Sequence, residues 1–343
     1  MIAATMTRKP LFVVLLLCGA GASAQTVSSG GDLTGTRPSE GGAPDEITVR
    51  LGVLDIAEIN DREQVFMADL FVEIDWQDPR LAVNGNPGAE LRTFPLDAIW
   101  HPRLTVINNR GLDLLLPEVA TVDRQGKVIV RQRVAGPLAV DLDLRDFPYD
   151  TQRLPINFVS YQYSQSEIVF SEASELVVRL DDLGGEGWTY GAVEPERSVY
   201  RLKEGGRGGA HISFAIMAER QAGYYVLTLA LPMTLILFLA WMAHWLPVDV
   251  IPPRMGTATA TVFSLIAFGV SFRLTLPKIA YLTDADRFVL YSTLLVLVSL
   301  AITVTSIRWA STARKEAAER LARQARVAFP FLYGLIVLLT FTT

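Results

Sequence analysis

The chain has 343 residues, of which 50% are hydrophobic and 20% are charged, and its formal net charge is −5. These values fit a membrane protein with a sizeable water-soluble part. They argue against a nucleic-acid partner, since the basic residues do not form a stripe with interleaved aromatic side chains. The sequence also contains no metal-ligand cluster, nucleophile motif or phosphate-binding loop that would point to an enzyme.

The N-terminal segment has the three parts of a secretory signal peptide. Arg8 and Lys9 precede an apolar run that ends at Cys18, and Ala22-Ser23-Ala24 supplies small residues for cleavage. We predict a signal peptide over residues 1–24, cleaved after Ala24. Cys18 is the only cysteine. The mature chain is therefore expected to have neither a disulfide bond nor a thiolate metal site.

Residues 25–44 are predicted to form a flexible leader, and residues 45–222 an extracellular β-sandwich. The leader is rich in Gly, Ser, Thr and Pro, which offer little apolar surface to bury. The second region alternates short β-type runs with turn signals such as Gln125-Gly126, which favours an antiparallel sandwich. The runs expected to be strands are 47–56, 64–76, 105–109, 127–134, 154–163, 167–170, 175–180 and 211–220, with a hairpin turn at Gly205 to Gly209.

Residues 223–343 are predicted to form a transmembrane domain. Four long apolar segments are expected to be membrane helices, at about 224–246, 253–276, 288–309 and 326–343. The linker at 310–325 is rich in Lys and Arg, which favours a cytoplasmic location. The chain would then be a multi-pass protein of the inner membrane, with its N-terminal domain and its C terminus on the periplasmic side.

The second apolar segment differs from the others because it carries many hydroxyl and small side chains. Two stripes run along it at helical spacing. The polar stripe contains Thr257, Thr261, Ser264, Phe268, Ser271 and Thr275, and the mainly apolar stripe contains Gly256, Ala260, Phe263, Ala267, Val270 and Leu274. Such a helix suits the wall of an ion pathway, but it also suits close helix packing, and composition favours neither.

Several motifs occur in a fixed order along the chain. The most specific is the run from Asp143 to Gln152, DLRDFPYDTQ. Others are Trp76-Gln77-Asp78-Pro79, Trp100-His101-Pro102, Gly187-Trp188, Arg220 with Gly223-Tyr224, and Leu276-Pro277-Lys278. With these motifs and the membrane pattern, the chain resembles the pentameric ligand-gated ion channels of the Cys-loop receptor superfamily. Val140 and Leu154 stand where animal members have cysteines, so it resembles the bacterial members that lack the disulfide bond.

This resemblance implies a fold and a set of partners. The fold would be an extracellular antiparallel β-sandwich followed by a four-helix transmembrane bundle, assembled as a homopentamer in the lipid bilayer. A small-molecule agonist or protons would open a central pore to inorganic ions, with no cofactor. Residues implied in coupling agonist binding to gating are Asp61, Asp150, Arg220, Pro277 and Lys278. Without the resemblance, solvated surface charges are the favoured interpretation of Asp61, Asp150 and Arg220.

The resemblance also selects one stripe of the second segment for the pore. Solvation alone favours the polar stripe. However, Pro252-Pro253-Arg254-Met255-Gly256 resembles the opening of this segment in anion-selective members, and its spacing to Leu276-Pro277-Lys278 matches the family. This register places the stripe from Gly256 to Leu274 in the pore, with rings of Phe263 and Val270 as a hydrophobic constriction.

Ion selectivity is expected to lean towards anions. Pro252, Pro253 and Arg254 replace the glutamate ring that cation-selective members usually carry, and Arg273 adds positive charge near the other end. Asp249, close by in the sequence, argues in the opposite direction.

The family's agonist site lies between neighbouring sandwiches and is built from aromatic residues. Phe71, Tyr161 and Tyr163 match such positions, where rings can hold a cation. Ile107 stands where many members have tyrosine, and the hairpin tip carries no aromatic residue, which argues against an amine. Arg207 at that tip would suit a carboxylate, although hairpin charges are commonly just solvated. The three histidines are expected to be structural.

A different class of protein shares most of these features. A membrane-anchored periplasmic ligand-binding sensor without conductance would have the same signal peptide, sandwich and anchors. It would need neither a polar crossing nor a five-fold assembly. Conductance in a purified, reconstituted protein separates the two hypotheses.

Overall fold

The computed structural model describes residues 33–83, 91–180, 183–201, 208–274, 279–312 and 314–341. The predicted signal peptide and its cleavage site lie outside the described residues. The described part of the predicted leader, residues 33–44, forms turns. Arg37 attaches it to the first strand, with its Nη1 atom 2.9 Å from Oδ2 of Asp45. This ion pair is not visible in the composition that predicts a flexible leader.

The first part of the described chain is a two-sheet β structure with twelve strands. The strands are β1 Asp45–Asn60, β2 Val65–Gln77, β3 Arg92–Pro95, β4 Leu104–Val106, β5 Asp113–Leu114, β6 Val119–Val122, β7 Lys127–Ala139, β8 Thr151–Ser164, β9 Ile168–Phe170, β10 Glu175–Val178, β11 Trp188–Tyr200 and β12 Gly209–Arg220. Each of the eight predicted runs overlaps a strand. The predicted turn at Gln125-Gly126 joins β6 to β7, and Gly126 adopts a positive φ of 85° there, which glycine tolerates without strain.

The larger sheet has the order β10-β1-β2-β7-β6-β3, with β9 also pairing with β1 and β5 with β7. The smaller sheet has the order β11-β12-β8-β4. Most pairs are antiparallel, as predicted, but β1 pairs in parallel with both β9 and β10. The alternating apolar residues of the long strands meet between the sheets, and Trp100, Phe66 and Phe214 are among the largest fully buried side chains.

Four helices follow the sandwich: α1 Gly223–Met242, α2 Ile251–Arg273, α3 Asp284–Ser311 and α4 Lys315–Phe341. All four are long and apolar enough to cross a membrane. α2 begins with prolines in its first turn, where a missing amide hydrogen costs nothing. α3 begins with a capping box in which Thr283 and Asp286 satisfy each other's backbone amides.

The fourth helix begins well before the predicted apolar segment, so most of the predicted linker 310–325 is helical. Ala318, Ala322 and Ala325 recur at helical spacing in this part and are buried. Ala318 and Ala322 form a small cluster with Val248, against which Trp309 packs. A search for apolar membrane segments overlooks such an amphipathic extension, because its other face is charged.

Candidate functional site

Arg220, the last residue of β12, is the centre of a buried ion network where the sandwich meets the helices. Its Nε atom lies 2.8 Å from Oδ1 of Asp150, and its Nη2 atom lies 2.8 Å from Oδ1 of Asp61. The side chains of Arg220 and Asp150 are only 1% and 2% exposed, and that of Asp61 is 14% exposed. The structure thus brings together the three charged residues predicted from the sequence, and they are not solvated surface charges.

Aromatic rings enclose the Arg220 guanidinium on several sides. It lies 4.2 Å from the ring centroid of Trp188, 4.9 Å from that of Phe147 and 5.2 Å from that of Tyr225. Burial lowers the pKa of Arg220, but the hydrogen bonds and charges of the two aspartates outweigh this effect and raise the pKa overall. Arg220 therefore stays charged. Because Tyr225 belongs to α1, the network links both sheets to the first helix.

The loop at 141–150, which carries the DLRDFPYD motif, contacts the start of α3 directly. The backbone amides of Asp284 and Ala285 donate to the carbonyl oxygens of Arg145 and Phe147, at 2.9 Å and 3.3 Å. The amide of Leu144 donates to the hydroxyl of Tyr281 at 3.0 Å. The loop thus supplies partners to amides that a helix start leaves unsatisfied.

The mainly apolar stripe of α2 faces away from the other helices of the same subunit. All six of its residues are exposed in the single chain, and Phe263 and Leu274 reach 72% and 71%. The opposite face of α2 is buried, including Ala258 and Leu265. This stripe is therefore free to face neighbouring subunits or an axis between them.

The polar stripe of α2 lies on the flank. Thr261 is buried, whereas Ser264 and Ser271 are exposed. The hydroxyl groups of Thr257 and Thr261 donate to the backbone carbonyl oxygens of Pro253 and Thr257, both at 2.8 Å. These threonine hydroxyls are engaged with their own helix, which reduces their capacity to solvate an ion.

Arg254 corrects one argument for anion selectivity. Its side chain is completely buried, on the face of α2 opposite the mainly apolar stripe. Arg254 therefore adds no exposed positive charge to a pore mouth. The opposing argument weakens too, because the carboxylate of Asp249 is paired with Lys315 at 2.5 Å. Arg273, near the other end of α2, is exposed.

Tyr161 has two neighbours that were not predicted from the sequence. Its ring is 59% exposed and meets the ring of Tyr200 edge to face at 6.3 Å. Tyr200 lies 6.2 Å from His211, whose Nδ1 is 2.6 Å from the hydroxyl of Ser198. Tyr200 is the last residue of β11, a strand that the sequence analysis missed, so its position near Tyr161 was not anticipated.

Phe71 and Tyr161 lie in different sheets. Phe71 belongs to β2 of the larger sheet and is partly exposed, whereas Tyr161 belongs to β8 of the smaller sheet. No ring contact joins them within the part of the chain that the structure describes. Within the single subunit, these two residues therefore do not form one aromatic site.

Tyr163 is less suited to a ligand than the sequence indicates. It is buried, its hydroxyl accepts a hydrogen bond from Nε1 of Trp100 at 2.8 Å, and the two rings lie 5.5 Å apart. An irregularity in the pairing of β8 with β12, between Val159 and Ser164, changes which residues face the core. This is why Tyr161 points outwards and Tyr163 inwards although they are two residues apart.

Three predicted functional residues cannot be located. Arg207, Pro277 and Lys278 lie outside the described residues, as does most of the predicted hairpin turn at Gly205 to Gly209.

A cavity of about 340 Å³ in the sandwich is lined by residues of both sheets. Apolar residues such as Val72, Val130 and Phe158 line it, and His101 contributes a polar group. Burial, together with the nearby charge of Arg103, lowers the pKa of His101 from 6.5 to about 4. His101 is therefore neutral near pH 7.

We expect His101 to make the fold acid-sensitive. Because folding favours its neutral form, its contribution is complete above the ordinary pKa of 6.5 and is lost as the pH falls towards about 4. The apparent unfolding temperature should fall over this window in the wild type and less in His101→Gln. An equal fall in both proteins would contradict the assignment to His101.

Comparison with known families identifies the class of protein. Residues 34–183 match the neurotransmitter-gated ion-channel ligand binding domain, and residues 229–332 match the neurotransmitter-gated ion-channel transmembrane region. The two matches occur in the family's order and together cover most of the chain. The chain therefore belongs to the neurotransmitter-gated ion channels, the pentameric Cys-loop receptor superfamily, which confirms the predicted family, the β-sandwich and the transmembrane region. It is a multi-pass membrane protein.

Proposed function

We propose that the chain forms a homopentameric ligand-gated ion channel in which agonist binding between sandwiches opens a pore lined by α2. The observation that carries this proposal is the exposure of one whole stripe of α2. Gly256, Ala260, Phe263, Ala267, Val270 and Leu274 are all exposed in the single subunit. In a pentamer, five copies of this exposed, mainly apolar stripe would line the central pore. Phe263 and Val270 would close the pore by excluding water from it.

The Arg220 network supports coupling between the two domains. Arg220 forms ion pairs with Asp61, in the turn after β1, and with Asp150, at the end of the loop at 141–150. It also contacts Tyr225 of α1. The carbonyl oxygens of Arg145 and Phe147 in the same loop accept hydrogen bonds from the first backbone amides of α3. Movement of the sandwich would therefore be transmitted to the first turns of α1 and α3, the helices that precede and follow α2 in the chain. Pro277 and Lys278 are proposed to belong to this coupling region.

The agonist site is proposed to combine Tyr161 and Tyr200 of one subunit with Phe71 of its neighbour. Tyr161 and Tyr200 form an exposed edge-to-face pair beside His211. Aromatic faces can hold a cation, whereas Arg207 would favour a carboxylate. Tyr163 is retained as a support residue, since it is buried against Trp100.

Anion selectivity is proposed from the charges that remain exposed on α2. Arg273 is exposed near one end, while Arg254 is buried and Asp249 is paired. The positive charges at residues 310–325 favour a cytoplasmic location for that linker. The sandwich is therefore proposed to lie on the periplasmic side of the inner membrane.

Arg273→Glu is expected to move the permeability ratio towards cations. In a tenfold NaCl gradient, a perfectly selective pore reverses at about 59 mV, with a sign set by the permeant ion. The variant should shift the reversal potential towards the equilibrium potential of sodium, because it replaces a ring of positive charges by a ring of negative charges. Arg254→Met is the matched control and should leave the reversal potential unchanged. A shift in the control alone would contradict the proposal.

Reconstitution tests the function itself. The purified full-length protein, placed in planar bilayers, is recorded during pH steps and during application of a panel of amines and carboxylates. Current that depends on one of these agonists supports the channel. Absence of current together with agonist binding measured by calorimetry would favour the membrane-anchored sensor instead.

A further inference from the structure

Arg254, in the first turn of α2, carries a positive charge for which the described part of the chain supplies no hydrogen-bond acceptor. The side chain is 0% exposed in the single subunit. Among the residues that the structure describes, none accepts a hydrogen bond from its Nε, Nη1 or Nη2 atoms. An arginine side chain stays protonated in proteins, so it cannot avoid this situation by losing a proton. A buried and unpaired charge is strongly unfavourable.

The groups around Arg254 are also basic. The charge of Arg254 acts on His244, and the charge of Arg326 acts on both Arg254 and His244. His244 is completely buried, with Nε2 2.9 Å from the hydroxyl of Ser299 and Nδ1 unpaired. The Nε atom of Arg326 donates to the carbonyl oxygen of His244 at 2.8 Å. Asp249, an acidic residue in the preceding turn, is already paired with Lys315.

A neighbouring subunit cannot supply the missing negative charge. The three nitrogen atoms of Arg254 are already sealed by the subunit's own side chains and are inaccessible in the single chain. A carboxylate from another subunit would have to displace this packing. Water would satisfy the hydrogen-bonding groups but would leave the charge uncompensated. An enclosed anion satisfies both requirements.

We propose that a small inorganic anion of chloride size binds inside each helical bundle, held by Arg254 and His244. The N-terminus of α2 adds favourable partial positive charge, because Arg254 lies three residues after the first helical residue, Ile251. The Ser299 hydroxyl has one hydrogen, for which Nε2 of His244 at 2.9 Å and the carbonyl oxygen of Ala240 at 3.3 Å compete. When it donates to Nε2, the shorter of the two contacts, the imidazole proton is on Nδ1 and can donate to the anion. The three nitrogen atoms of Arg254 have no solvent-exposed surface, which favours a monatomic anion over sulfate or a lipid phosphate. The proposal stands whether or not the protein conducts.

Thermal unfolding of the purified full-length protein in detergent tests this site. The apparent unfolding temperature is compared in sodium chloride, bromide and gluconate at equal ionic strength. The wild type should unfold about 5 °C higher in chloride and bromide, because a ligand that binds only the folded state stabilises it. Arg254→Met should lose this dependence and should match or exceed the wild type in gluconate, since it removes the unpaired charge.

Arg308→Met is the matched control, since Arg308 is an exposed arginine near the end of α3. It should keep the full halide dependence. Crystals grown in bromide locate the ion without any variant: an anomalous peak should touch Arg254 in every subunit. A wild-type unfolding temperature that is the same in all three salts, or bromide peaks only elsewhere, overturns the proposal.

Discussion

Replacing Arg220 by alanine is expected to abolish agonist-evoked current. The substitution leaves Asp150 and Asp61 without their partner, and Asp150 is almost completely buried. Removing one member of a buried ion pair costs about 3–5 kcal/mol, because the remaining charge is left unpaired. It also removes the cation between Trp188, Phe147 and Tyr225. Current is measured by voltage clamp, alongside quantification of protein at the cell surface.

Two further variants separate coupling from folding. Arg153→Ala removes an exposed arginine of β8, whose contact with Glu196 is 3.5 Å long, and should leave the response unchanged. Asp61→Asn keeps the shape of the partly exposed partner and should reduce maximal current while surface protein and agonist binding persist. A normal response from surface-expressed Arg220→Ala would refute the coupling role.

Truncating Phe263 to alanine, or replacing it by serine, is expected to ease opening. In the proposed pentamer, five copies of this exposed side chain form a hydrophobic ring that excludes water when the pore is closed. With a smaller or polar ring, water would enter the pore when fewer agonist sites are occupied. We expect the half-maximal agonist concentration to fall at least about tenfold, which corresponds to about 1.4 kcal/mol. Current without agonist should also appear.

Ser264→Ala is the control for the assignment of the pore stripe. Ser264 is the next residue, is also exposed, and belongs to the polar stripe. If the mainly apolar stripe lines the pore, Ser264→Ala should change the agonist response little. The opposite pattern, with a large effect of Ser264→Ala and none of Phe263→Ala, would assign the pore to the polar stripe.

The fold was largely readable from the sequence because its long elements have clear periodicities. β1, β2, β7, β8 and β12 alternate apolar and polar residues, and the four helices contain long apolar runs. β11 was missed because Glu194, Pro195 and Glu196 interrupt its pattern. The structure places β11 at a sheet edge, with a pairing irregularity between Val193 and Glu196, where a proline is tolerated.

The candidate site was readable only in part. The motif order led to the Arg220 network, and the structure brings its three charged members together. The exchange of faces between Tyr161 and Tyr163 depends on a strand irregularity that leaves no local sequence signal. The burial of Arg254 depends on how α2 packs against the other helices, which residue type does not reveal. Charge counted along the sequence therefore overestimated the exposed positive charge at the start of α2.

The contact between the signature loop and α3 limits how this protein can be divided. The first amides of α3 are satisfied by Arg145 and Phe147, which belong to the other domain. A membrane half expressed alone would begin α3 without these two acceptors, and the amides of Asp284 and Ala285 would need other partners. Chimeras that exchange extracellular halves with other receptors should therefore carry residues 141–150 and the residues from Tyr281 to Ala285 from the same parent.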